Sequence, residues 1–246
     1  MNKSPADILL ASRQLRAEFK IRESYDLVAQ HLGGLNQYRN LLWQHQPMFW
    51  QDHRAGNCIL TRRKGADAAF IQALWQDKKF IKSFHRLAGK LPAKLADLQT
   101  ILDNEFTSLI KDASTLHWVI RDSNHKPWGI LSLTNISLAH QRAELLLGVI
   151  PGAPFGLTAT AMLILFDFFF KGMNFQKLYT LTYDDNESTL KGVLHLGFQI
   201  EGRLRNHVKD PETSSFLDLI QAGLLAQEAF SPGNTRVRQK LFTNPI

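Results

Sequence analysis

The chain has 246 residues, 44% of them hydrophobic and 21% charged, which is ample for a packed core and unlike the composition of a disordered chain. Its formal charge of +7 favours an anionic partner (a cofactor phosphate, RNA or a membrane surface) without choosing among them. The single cysteine, Cys58, rules out a disulfide framework within one chain and suits a reducing, cytoplasmic setting. The most apolar window, residues 157–170, is interrupted by Asp167 and falls short of the roughly 20 residues a membrane span needs, so it reads as a buried helix.

Residues 1–56 read as helical. Ile8, Leu9, Leu15, Phe19 and Ile21 fit one helix face, and Tyr25, Leu27, Val28 and Leu32 a second, stopped at Gly33 and Gly34. Tyr38, Leu41, Leu42 and Trp43 suggest a third helix, ending near Pro47. This segment carries no recognisable chemistry and is taken as a helical N-terminal extension, with residues 57–246 forming the main domain. Residues 58–62 then read as a strand and 66–75 as a helix. Residues 76–113 are mostly helical, with a break at Leu91 and Pro92.

From Leu116 the period changes to alternation. Residues 116–120, a polar turn and residues 128–134 predict a hairpin, and residues 143–150 a further strand closed by Pro151. Next come a helix over 156–171, a strand over 178–183 and a helix over 187–195, stopped at Gly197. Glu201 and Gly202 read as a turn into a strand, residues 216–222 as a late strand, and the rest as a polar tail. The order implies an α/β fold with a mixed sheet rather than repeated βαβ units.

Two segments could carry chemistry. Residues 153–158 link a strand to the apolar helix. A helix N-terminus offers unpaired N–H groups and a partial positive charge, so it can hold a pyrophosphate, and Gly156 would let a ligand approach the backbone. A plain turn reads equally well. The P-loop and dinucleotide-binding glycine patterns are absent. In the second segment, Asn186 is a good helix N-cap, and Gly197 and Phe198 follow it at eleven and twelve residues. The nine histidines show no metal-ligand spacing, and no metal is expected.

The second segment resembles a known family. Asn186, Thr189, Gly197, Phe198, Glu201, Gly202 and Arg205 fall on a pattern found in the GNAT acetyltransferases, in the branch that acetylates ribosomal-protein N-termini. There the pattern runs Asn, two residues, Ser, then Gly-Phe, then Glu-Gly and a basic residue. Trp118 to Leu131 resembles the family's central hairpin, Arg142 to Glu144 the start of its fourth strand, and Cys58 to Trp75 its first strand and helix. The family's phosphate loop reads Gln or Arg, two residues, Gly, one residue, Gly or Ala. Here Ala153 and Thr158 depart from it, Gly156 matches, and Pro154 removes one amide donor.

The resemblance implies a mostly antiparallel GNAT-type sheet flanked by helices, and transfer of an acyl group from acetyl-CoA to a primary amine. Val149 and Ile150 would pair with the pantetheine arm, and the loop at Phe155, Gly156, Leu157 and Thr158 would hold the pyrophosphate. Asn186 would bind pantetheine or the acyl carbonyl, and Thr189 would help protonate the departing thiolate. Glu144 is the first choice of base, because an amine attacks only when neutral; Tyr183 and His140 are second choices. The implied partners are acyl-CoA and an amine on a protein N-terminus or a small molecule, with a homodimer compatible and neither membrane nor nucleic acid expected. A GNAT-fold protein that binds CoA or a partner without catalysis, and a basic ribosome- or RNA-associated module, are the competing readings.

Overall fold

The computed structural model describes residues 4–86 and 88–243. The first layer is helical: α1 (Pro5–Ala17), α2 (Ile21–Leu32) and the short α3 (Arg39–Gln44). Ser4 caps α1, its hydroxyl accepting from the Asp7 amide. Ile8, Val28 and Leu32 form a small apolar core between α1 and α2. Beside it lies a buried polar cluster. The Ser12 hydroxyl meets Ser24 Oγ at 2.7 Å and His45 Nδ1 at 3.1 Å, and Arg16 Nη1 reaches the same His45 nitrogen at 3.1 Å. Burial, then Arg16 and Lys111, push the His45 pKa down to about 4, so the ring is neutral.

Helical character does not persist to residue 56. His53–Ala55 is a strand, β1, which turns through Gly56 (φ +50°) into β2 (Cys58–Arg62). Then come α4 (Ala68–Gln76), α5 (Lys78–Phe84), α6 (Leu95–Thr107), β3 (Leu116–Asp122), β4 (Pro127–Ser137) and β5 (Arg142–Val149). The chain continues with α7 (Leu157–Phe166), β6 (Lys177–Tyr183), α8 (Glu187–His195), β7 (Gln199–Lys209), β8 (Phe216–Leu225), the short α9 (Ala226–Ala229) and α10 (Pro232–Thr243). The sheet runs β1-β2-β3-β4-β5-β6-β8-β7, antiparallel at every step except β5 to β6.

Period-2 alternation decides which residue faces which layer. Trp118, Leu131, Leu133, Ala143 and Leu145 point to one face, where they pack on α7 in the larger core. Ile130 and Leu146 point to the other, against Ile71, Phe80, Phe84, Leu98 and Leu102 of α4–α6. The window at 157–170 is apolar all round because it is buried all round. From Leu157 to Phe166 it is α-helical, and at Asp167–Gly172 it widens to a π turn. Asp167, the charge inside that window, faces out to pair with Lys171 at 2.8 Å and with Arg238 of α10.

Two other expectations are revised. Glu201 and Gly202 are not a turn. They sit inside β7, where the register slips by one residue and Glu201 pairs with Lys177 at 2.7 Å. The polar tail is α10, which lies against α7. Cys58 is buried in the core and its thiol is pushed up to about 12 by burial, so it behaves as a small apolar residue.

The His45 cluster gives a pH signature. A base with a folded pKa of about 4 and an unfolded one near 6.5 stabilises the fold fully above about pH 6.5. That contribution is lost as pH falls from there through 4, on the order of 3 kcal/mol in all. Urea unfolding from pH 7 to 4 should show it, and His45→Gln should flatten the profile across that window.

Candidate active site

The site begins where two strands part. β5 and β6 are parallel and share three register pairs, Arg142–Lys177, Ala143–Leu178 and Glu144–Tyr179. Beyond them β5 continues to Val149 beside β4 alone. In an antiparallel ladder, successive residues point their N–H and C=O alternately to the two sides. The Ile150 amide donates to Trp128 O at 2.8 Å, so Gly148 and Leu146 also face β4. Leu147 and Val149, beyond the last shared pair, therefore present their backbone groups to the gap. Ile150, expected as a second pantetheine contact, has its amide committed to β4.

The gap is a cavity of about 560 Å³. Leu145, Leu147, Gly148 and Val149 form its β5 wall, Thr158, Ala159 and Met162 of α7 its floor, and Asn186, Thr189 and Val193 of α8 the far side. Of the residues expected at the site, the structure thus brings together Val149, Thr158, Asn186 and Thr189.

The start of α7 faces this space. Gly156 holds φ +77° as the N-cap, a conformation that disfavours a side chain, and an added Cβ would meet Leu241 Cδ2 at 2.8 Å. The Leu157 amide turns back to Pro154 O at 3.1 Å, while helical pairing first resumes with Thr160 donating to Gly156 O. The amides of Thr158 and Ala159 lie in the first turn, which has no intrahelical acceptors, and both residues line the cavity. Leu157 itself is buried in the core and Phe155 is 87% exposed, so neither side chain forms part of the cavity wall.

Asn186 holds the opposite wall. Its Oδ1 accepts from the Thr189 amide at 3.3 Å and from Ser188 Oγ at 3.2 Å, which makes it the N-cap of α8. Its Nδ2 donates to the Ser83 carbonyl of α5 at 3.3 Å. One residue therefore starts α8 and ties it to the helix on the other face of the sheet. Arg86, which sequence reasoning passed over, reinforces that tie. Its backbone N–H donates to Tyr183 Oη at 3.0 Å, its guanidinium lies 4.4 Å from the Tyr183 ring centroid, and it pairs with Asp185 and, at 3.0 Å, with Asp210. An isolated Arg in a loop gives no sequence signal for such a set of partners. Burial raises the Tyr183 pKa, so the phenol stays protonated.

Glu144 is buried at the point of divergence, opposite Tyr179. Its carboxylate accepts from Asn135 Nδ2 at 2.7 Å and from Thr134 Oγ1 at 3.4 Å. It alternates with Leu145 and so lies on the α5 side of the sheet, away from the α7 side of the cavity. His140 is an exposed residue in the β4–β5 turn, remote from the cavity lining. Among the described residues, no group of His, Cys, Asp and Glu is arranged to hold a metal ion, and no helix is long and apolar enough to cross a membrane.

Comparison with known proteins agrees with this architecture. The Acetyltransferase (GNAT) domain family matches residues 58–199, more than half of the chain, and the chain belongs to that family. It is an acetyl-CoA-dependent N-acetyltransferase by class. Among solved structures, it resembles the spermidine N-acetyltransferase from Vibrio cholerae in complex with CoA and spermine. The TM-score is 0.61 at 19% identity, over 71% of this chain and 99% of that one. A complex of the Vibrio cholerae spermidine/spermine N-acetyltransferase with manganese ions aligns with TM-score 0.56 at 19% identity, over 70% of this chain and 94% of that one. At such identity the likeness is one of fold. A comparison with curated proteins finds no significant match.

The Asn186 geometry is open to test by stability alone. Asn186→Ala should cost about 1 kcal/mol through loss of the cap, whereas Asn186→Asp, which keeps the acceptor but not the donor to Ser83, should recover most of it in urea unfolding.

Proposed function

We propose that this chain transfers an acetyl group from acetyl-CoA to a primary amine by direct attack in the cavity between β5 and β6. The observation that carries the reading is the divergence of these strands beside the N-terminus of α7. It leaves backbone groups at Leu147 and Val149 for an extended pantetheine chain. It also leaves first-turn amides at Thr158 and Ala159 for a pyrophosphate. Leu147 and Val149 replace Ile150 as the pantetheine partners, and the phosphate contacts narrow from Phe155–Thr158 to Gly156, Thr158 and Ala159.

The amine enters from the α5 face and meets the thioester where the strands part. Glu144, on that face, takes the ammonium proton, directly or through a water. The amine lone pair then attacks the thioester carbonyl, a backbone N–H of β5 facing the gap stabilises the oxyanion, and the C–S bond breaks. As the acylated nitrogen loses its second proton, Thr189, on the cavity wall, relays a proton to the CoA thiolate, its hydroxyl regaining one as it gives one up, and Asn186 orients the pantetheine amides. The acceptor is a primary amine. The sequence pattern at Asn186–Arg205 favours a protein N-terminus of the ribosomal type, and the fold likeness brings polyamines into the same test. The buried lone thiol is compatible with a reducing cytoplasm.

Acetyl-CoA should raise stability by about 2.7 kcal/mol at a hundred times its dissociation constant. Thiol release should then appear with at least one member of a panel spanning N-terminal peptides and polyamines. Glu144→Gln should lower kcat roughly 100-fold, with acetyl-CoA binding kept. A flat melting curve at millimolar acetyl-CoA would sink the reading; binding with no thiol release across the panel would leave a CoA-binding protein without catalysis.

A further inference from the structure

A second polar cavity, of about 180 Å³, opens beside the end of β2 and shares no lining residue with the cavity at β5. Arg62, Arg63 and His117 line it together with the hydroxyl residues Ser108, Ser114 and Thr115. β3 and β4 lie between β2 and β5, so the two cavities are separate places in the fold.

Its charges do not balance by burial. Arg62 is 5% exposed and Arg63 8%. Arg62 donates through Nη1 to the Phe49 carbonyl and lies over the Trp118 and Phe106 rings at 5.7 and 6.0 Å, but among the described residues no carboxylate pairs with it. Arg63 pairs with Glu105, whose side chain is 39% exposed. Asp112, the other carboxylate on the rim, is exposed and water-screened. A guanidinium cannot shed its proton, so a buried one without a counter-charge is costly.

The nearby C-terminus of α6 does not supply that counter-charge, because its last carbonyls already have donors. Asn104 O accepts from Ser108 Oγ at 2.9 Å, and Glu105 O from the Ser108 amide at 3.2 Å. Phe106 O accepts from Trp50 Nε1 at 2.6 Å and Thr107 O from Arg16 Nε at 3.3 Å. Nor does His117 compete for an anion's partners. Its Nδ1 is 2.7 Å from Ser132 Oγ, and burial beside the two arginines keeps the ring neutral.

We propose that the pocket at Arg62, Arg63 and His117 binds a small free oxyanion, of the phosphate or sulfate class, held by the two guanidinium groups and the hydroxyls of Ser114 and Thr115. With each water taking about 30 Å³, the space admits one tetrahedral oxyanion and a few waters. Such an anion joins β2 to the C-terminal end of α6. The inference does not depend on the cofactor cavity or on the proposed reaction.

The test is titration of the full chain with inorganic phosphate at constant ionic strength, sodium chloride making up the balance, followed by melting temperature and calorimetry. Phosphate and sulfate should give a saturable rise that chloride does not, unchanged by saturating CoA. Arg63→Gln should weaken phosphate binding about tenfold or more. Glu105→Gln, which frees Arg63 from its competing carboxylate, should tighten it severalfold. These opposite signs separate an anion site from a merely structural ion pair, whose two variants would move together. Because Glu105→Gln is isosteric and half-exposed, it keeps the test decisive if Arg63→Gln does not fold. Phosphate indistinguishable from chloride, an effect abolished by CoA, or tightening absent in Glu105→Gln would each overturn the proposal.

Discussion

β5 and β6 are held apart on both faces of the sheet, and the site exists because of it. Backbone groups at a parted pair must find water, a side chain or a ligand. On one face Met162 of α7 and Val193 and Leu196 of α8 line the space beneath the gap. On the other, Phe80 and Phe84 stack with centroids 5.2 Å apart against Gly148, where an added Cβ would come within 2.8 Å of the Phe80 ring. Arg86 and Asn186 then fasten α5 to the far strand and helix. The strands cannot zip closed without displacing one of these elements, so the unpaired edge is a permanent part of the fold rather than a transient opening.

The same alternation that sorts the core also sorts the chemistry. Leu145 looks toward α7 and Glu144 toward α5, one residue apart, at the last shared register pair. On the proposed reading this keeps the cofactor and the amine on separate faces until they meet at the vertex. The carboxylate is held by two neutral donors, Asn135 and Thr134. Both reach the same oxygen, Oε2, and so fix the orientation of the carboxylate.

Much of the fold was legible because its signals were local. The strands at β3 to β6 alternate or run apolar over whole lengths, and α8 begins and ends at an Asn cap and a left-handed Gly197 (φ +94°). The elements that escaped have weak signals for physical reasons. β1 is three residues long and reads His-Arg-Ala. β7 is a largely exposed edge strand with two register slips, so its period is broken. In α10, apolar residues are too sparse to announce a buried face. At the site, shared lining by Val149, Thr158, Asn186 and Thr189 could be anticipated from a sequence pattern. Which backbone groups face the gap could not, because that depends on the Ile150–Trp128 hydrogen bond. Arg86 and the Arg62–Arg63 pocket were equally hidden, since only the folded chain tells a buried arginine from a solvated one.

The C-terminal helix touches α7 near both of its ends. Arg238 reaches Asp167 and the Leu163 carbonyl, while Leu241 lies against both Gly56 and Gly156. The loop that would meet a cofactor's phosphates is therefore buttressed by residues near the far end of the chain, some 80 positions away in sequence. Trimming into α10 would take away the support on which Gly156 rests. α10 is thus the prop of a loop to which it contributes no backbone.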